Sequence, residues 1–132
     1  MTVFESTALI TKPVSMVYTF LTDMHNHQQL MPDSISNWSS TTDEARFTIQ
    51  NMAKLALKVS ERKENSEIII MPSEPAPFDI ELRWILQDNN DDSTSVTYKI
   101  AADLNMMMKM LASGPLQKLV EHETAQLKNI LQ

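Results

Sequence analysis

Cysteine is absent from this 132-residue chain, and glycine occurs once, at Gly114. The first absence excludes disulfides, thiolate nucleophiles and cysteine-based zinc sites. The second excludes the common phosphate-cradling loops, which need several glycines so that backbone can approach phosphate. Neither a P-loop nor a dinucleotide fingerprint can be written in this chain. Long apolar runs are also missing, and none approaches the roughly 20 residues of a membrane helix. The first residues carry no basic segment followed by an apolar stretch, so no secretory signal is expected and a cytoplasmic location is. Positive charge is scarce, with 11 Lys and Arg against 17 Asp and Glu and a net charge of −6. That balance repels phosphate backbones, and nucleic acid is not an expected partner. Lys54, Lys58, Arg62 and Lys63 cluster locally, but on a strand they read as a solvated face.

Hydrophobic residues make up 42% of the chain and charged residues 21%, which fits one globular domain over residues 1–132. Apolar and polar residues alternate from Phe4 to Ile10, as in a strand over residues 2–11. Pro13 suits the start of a helix, where its missing N–H costs nothing. Val14, Val17, Leu21 and Met24 then recur at helical spacing, and residues 24–31 read as a second short helix or turn stopped by Pro32. From Ser34 the period switches to two. Six strands follow, including Ala45-Phe47-Ile49, Leu55-Leu57-Val59, the run Glu67 to Met71, Phe78 to Leu86 and Val96 to Leu104. In the tail, Leu116, Leu119, Val120, Leu127, Ile130 and Leu131 suit a long amphipathic helix, with Gly114-Pro115 as a kink or break.

This order specifies an α+β protein. About seven antiparallel strands present one apolar face, which the C-terminal helix must cover, and two short helices follow the first strand. A curved sheet gripping that helix would leave a hydrophobic space between them.

The chain resembles the START/Bet v 1-like superfamily (SRPBCC, polyketide cyclase/lipid-transport-like), whose architecture is the helix-grip fold. The resemblance spans essentially the whole length. It is carried by Ile10-Thr11-Lys12-Pro13, then Val17-Tyr18 and Leu21-Thr22-Asp23. Leu30-Met31-Pro32 is similar to a Phe-Leu-Pro found in coenzyme-Q-binding members. Lys12 stands where alanine is frequent, and the usual glycines between strands are missing. The resemblance implies an internal cavity. Members bind lipids, sterols, quinones or polyketides, and some catalyse cyclisation or dehydration. It transfers no catalytic residue.

The expected cavity-lining set is Phe47, Leu57, Phe78, Leu82, Trp84, Tyr98, Met107, Met110 and Leu111. Trp84 and Tyr98 share apolar faces of adjoining strands, and Tyr98 has a hydroxyl to offer, although core packing is the first reading for any one aromatic, ahead of cavity lining. Met106, Met107, Met108 and Met110 crowd the start of the last helix, where flexible thioethers suit either an adaptable pocket or a core or subunit contact. They cannot all face one way. His25 and His27 lie too close in sequence to share one helical face as metal ligands and read as solvated loop residues. Asp23 is placed to cap backbone N–H groups. Asp88, Asp91 and Asp92 imitate a calcium loop, but the central glycine is missing and Lys99 occupies the final liganding position. Asn37-Trp38-Ser39 matches a glycosylation pattern that carries little weight without a secretory signal. No catalytic residue, metal or cofactor is expected.

Binding or transport of a small hydrophobic ligand, such as a lipid, quinone or polyketide-like molecule, is therefore the leading function. A cyclase or dehydratase would need an acid/base pair inside the cavity, whereas the inward strand face Phe78 to Leu86 has no titratable group. A homodimeric or regulatory interaction module is the third reading, through exposed methionines or Ile68-Ile69-Ile70-Met71.

Overall fold

A computed structural model describes residues 1–50 and 52–132. Strand β1 (Thr2–Ile10) leads into helix α1 (Val14–Leu21) and a 3₁₀ helix, Met24–Leu30. Six strands follow: β2 (Ile35–Ser40), β3 (Glu44–Ile49), β4 (Ala53–Lys63), β5 (Glu67–Pro72), β6 (Ile80–Asp88) and β7 (Thr94–Ala102). Helix α2 (Met106–Leu131) ends the description. The strands form one antiparallel sheet in the order β1-β7-β6-β5-β4-β3-β2, curled into a half-barrel.

Strict alternation makes this sheet one-sided. On β6, Ile80, Leu82, Trp84 and Leu86 are buried, and on β7 Val96, Tyr98, Ile100 and Ala102. Register pairs Leu82 with Ile100, Trp84 with Tyr98 and Leu86 with Val96, so their side chains meet across the strands on one face. The opposite face carries charge. Glu5 pairs with Lys99 at 3.6 Å, Arg83 with Glu67 at 3.1 Å and with Glu81, and Lys63 with Glu67 at 3.3 Å. Ile69 falls on this outer face opposite Arg83, as three consecutive isoleucines require, and lies outside the core cluster.

The scarcity of glycine is met by asparagine and aspartate. Among the described residues, the left-handed backbone positions are Asn37, Asn65, Asn90 and Asp92. These short polar side chains tolerate that region best after glycine. Asn37 lies in the irregularity between Ser36 and Ser39 on β2. In the β6–β7 loop, Asp88 accepts from the Asn90 N–H (2.8 Å) and Asp91 from the Ser93 N–H (3.1 Å). These carboxylates build the turn, and no metal-ligating cluster forms among the described residues.

Helix α2 covers the concave face. Asn105 caps it, its Oδ1 accepting from the Met108 N–H at 2.9 Å. Ala112, Leu116, Leu119, Val120, Glu123, Thr124 and Leu127 form its buried stripe at three- and four-residue spacing. The helix lies along β1 and β7. Its side chains bond to the first strand and the turn after it: Thr124 to Ser6 (2.8 Å), Gln117 to the Glu5 carbonyl (3.3 Å) and Gln132 to Thr11 (3.1 Å). Gly114-Pro115 does not break it, and one helix runs from Met106 to Leu131. Gly114 has no Cβ to press on the proline ring, and its flank is open. Among the described residues, no helix is long and apolar enough to cross a membrane.

Candidate functional site

Between the sheet and α2 lies an interior cavity of about 30 Å³. It is large enough to hold water. Phe47, Leu57, Leu82 and Tyr98 line it, with Leu116 and Leu119 of α2 opposite and Met24 and Met31 at the 3₁₀ end. These large side chains fill most of the space that the sheet curvature opens. Trp38, stacked on Phe47 with ring centroids 5.4 Å apart, completes one wall.

A wider groove of about 390 Å³ adjoins the cavity beside α2. The two share Ile49, Leu116 and Leu119. Pro32, Ile35, Met52 and Pro115 extend its apolar floor, and Lys118 and His122 stand one helical turn apart at its rim.

The expected lining residues divide into three groups. Phe47, Leu57, Leu82 and Tyr98 converge on the cavity. Trp84 is fully buried behind Tyr98, their rings parallel with centroids 3.9 Å apart. Phe78 packs into the core from the segment before β6, beside Asp103, Leu104 and Met108, and faces a separate surface depression. Met107, Met110 and Leu111 are corrected outright. They are 71%, 83% and 66% exposed, because only Met108 of the methionine run turns towards the core.

Polar groups inside the cavity correct a second expectation. His27 is not a solvated loop residue but 2% exposed, on the cavity wall. Asp23 caps the 3₁₀ helix by accepting from the His25 N–H (2.9 Å), and the helix carries His27 inward. His27 Nε2 donates to the Leu21 carbonyl at 2.7 Å. A carbonyl only accepts, so the proton is on Nε2 and Nδ1 is the ring's acceptor. The imidazole meets Trp84 edge-on, centroids 6.0 Å apart. Burial holds its pKa below the ordinary imidazole value, against weaker upward effects of the Leu21 carbonyl and Asp23.

Glu123 is the residue that sequence reasoning missed. It lines the cavity at 1% exposure, and its Oε1 has no hydrogen-bond partner among the described residues. The Tyr98 hydroxyl lies beside it on the same cavity wall. Burial raises the carboxyl well above its usual range, and the neighbouring Tyr98 hydroxyl offsets this only in part. Tyr98 is itself pushed up, first by burial and then by the neighbouring carboxyl. The arrangement is a carboxyl and a phenol, both with pKa raised by burial, on the wall of a hollow whose other polar lining group is His27. One signal was present in the sequence: Glu123 falls four residues after Leu119 and four before Leu127, on the apolar stripe.

No protein-family model matches the chain, and no curated protein sequence does. Solved structures do. A START superfamily protein from Mycobacterium smegmatis superposes with a TM-score of 0.69 at 16% identity, over 97% of this chain and 98% of that one. The chain has the START/Bet v 1-like fold. The KanY protein gives a TM-score of 0.78 at 11% identity, over 98% and 97% of the two chains. The di-domain ARO/CYC protein BexL from the BE-7585A biosynthetic pathway gives 0.73 at 16% identity, over 98% of this chain and 46% of that one. At these identities the likeness establishes the fold. The START-like frame accounts for the position of the hollow, which lies where the curled sheet and the terminal helix cannot close completely.

Proposed function

We propose that this protein binds a small hydrophobic ligand, lipid-, quinone- or polyketide-like, between the sheet and α2, and that binding requires no catalysis. The observation that carries this reading is that the groove lies directly against the cavity, the two sharing Ile49, Leu116 and Leu119 as a common wall. The cavity alone is too small for such a molecule. The groove, at about 390 Å³, falls within the roughly 300–1,000 Å³ of ligand pockets. The ligand body therefore lies in the groove and its inner end reaches the cavity. Burying about 400 Å² of apolar surface offers about 10 kcal/mol before the costs of ordering, enough for micromolar binding at about −8 kcal/mol. The START designation of one structural neighbour agrees with this reading.

The test is native mass spectrometry of gently extracted protein, with thermal shift against a panel of apolar compounds. A co-purifying ligand or a raised Tm is expected. No mass adduct and no stabilisation across the panel would overturn the reading.

A cyclase-type enzyme, the alternative in keeping with the ARO/CYC designation of BexL, would be favoured by a histidine–carboxylate pair. His27 and Glu123 share the cavity, but no hydrogen bond joins them among the described residues. A different observation favours contact with a second copy of the chain: Met106, Met107, Met110 and Leu111 form an exposed apolar surface at the start of α2. Sedimentation over a range of concentrations tests it, and a monomer throughout would reject it.

A further inference from the structure

The ligand-binding reading leaves open what the inner end of the ligand is, and the cavity wall addresses that. Resting on that reading, we propose that Glu123 and Tyr98 form a recognition pole for an uncharged hydroxyl, so that the ligand is a small apolar alcohol or phenol bound hydroxyl-first.

Three observations lead there. The first is the unpartnered Glu123 Oε1, buried and on the cavity wall. A buried polar atom without a partner is costly, and a ligand group that supplies the partner regains that cost on binding. The second is size. A cavity of about 30 Å³ admits a small polar group, and a bulky head group does not fit. The third is the company that the group would keep. The remaining wall is apolar apart from His27 and Tyr98 and holds no lysine or arginine, so a carboxylate or phosphate would enter without a fixed counter-ion. An ammonium would meet Glu123 only as a buried ion pair, which carries a large desolvation penalty.

A hydroxyl also fits both hydrogen-bonding arrangements of the pole. If Tyr98 donates to Glu123, the free oxygen carries the acid proton and needs an acceptor. If Tyr98 accepts, the free oxygen is a carbonyl and needs a donor. A hydroxyl is both donor and acceptor, whereas a ketone or an ether is only an acceptor.

The experiment titrates the full chain with four compounds that share one apolar body: phenylbutanol, butylbenzene, phenylbutylamine and phenylbutyrate. Phenylbutanol is expected to bind about tenfold more tightly than butylbenzene although it is the less hydrophobic of the two, the size of one well-made buried hydrogen bond. It should also surpass the amine and the acid. Glu123→Leu should abolish or reverse the preference, and Glu123→Gln, whose amide still donates and accepts, should retain most of it. In the unsubstituted protein the Glu123 carboxyl carbon resonance should shift with phenylbutanol and not with butylbenzene, a readout that needs no variant to fold. Equal or tighter binding of butylbenzene, the amine or the acid overturns the hydroxyl pole and leaves ligand binding standing. So does a Glu123→Leu variant that keeps the preference, or an unmoved carboxyl resonance. Failure of all four compounds, butylbenzene included, overturns both the pole and this ligand class for the groove.

Discussion

The two halves of α2 use side chains in opposite ways. From Met106 to Leu111 the helix holds Met106, Met107, Met110 and Leu111 in solvent. From Leu116 to Leu127 it buries Leu116, Leu119, Val120 and Leu127, and with them Glu123. Apolar residues are exposed in one half, and a carboxyl is buried in the other. Hydrophobicity therefore does not decide position on this helix. Geometry does: the second half lies against β1 and β7 under the concave sheet, and whatever falls on its inner stripe is enclosed. Thr124 shows how a polar side chain is accommodated there, by bonding to Ser6 on β1 and to the Val120 carbonyl. Glu123 has only Tyr98 and an open oxygen.

The comparison can be broken most severely at Leu127, which is fully buried. Leu127→Ala removes side-chain volume from the gripped half and should cost about 2–5 kcal/mol in denaturant unfolding. A loss under 1 kcal/mol would mean that the helix end is not held as described.

Glu123→Gln sharpens the comparison through pH. The folded pKa of Glu123 lies above its unfolded value, so the folded state binds more protons between the two. Wild-type stability should therefore fall as pH rises from the ordinary glutamate range through the folded pKa. The variant should lack that slope, and its advantage should grow with pH. His27 acts in the opposite sense: its folded pKa is depressed, so stability is lost as pH falls through the ordinary imidazole range, in both proteins. Tm profiles of the two proteins that run parallel at every pH would show that Glu123 is not buried.

At the exposed half, Asn105→Ala should cost about 1 kcal/mol, because the N-cap bond to Met108 is lost. The smallest effect belongs to the methionines themselves. Met107→Ser and Met110→Ser should each change stability by no more than about 0.5 kcal/mol, since neither side chain is packed in the monomer. A larger loss that depends on protein concentration would reveal a partner on this face.

Much of the architecture was legible because it rests on local period. Alternation along Phe78 to Leu86 and Val96 to Leu104 anticipates β6 and β7, although β6 begins at Ile80 and leaves Phe78 outside the sheet. Pro13 marks the entry to α1: it is the N-cap residue, and its carbonyl accepts from the Met16 N–H at 3.0 Å. The site was less legible. Phe47, Leu57, Leu82 and Tyr98 follow from strand faces, whereas Met107, Met110 and Leu111 follow helical spacing that says nothing of where the sheet ends. His27 was read as a loop residue because a seven-residue 3₁₀ helix has no strong periodic signature.

The amino-acid sequence alone determined the element order, the one-sided sheet, the stripe on α2 and the lack of cysteine and of a glycine-rich phosphate loop. All of these depend on residue type and on spacing within a single segment. Only the tertiary structure decided that the space under the helix is largely filled, that a wider groove adjoins it across Ile49, Leu116 and Leu119, and that Glu123 and Tyr98 share its wall. Those outcomes depend on how far one element lies from another and on the volumes left between them, which no spacing within a segment encodes.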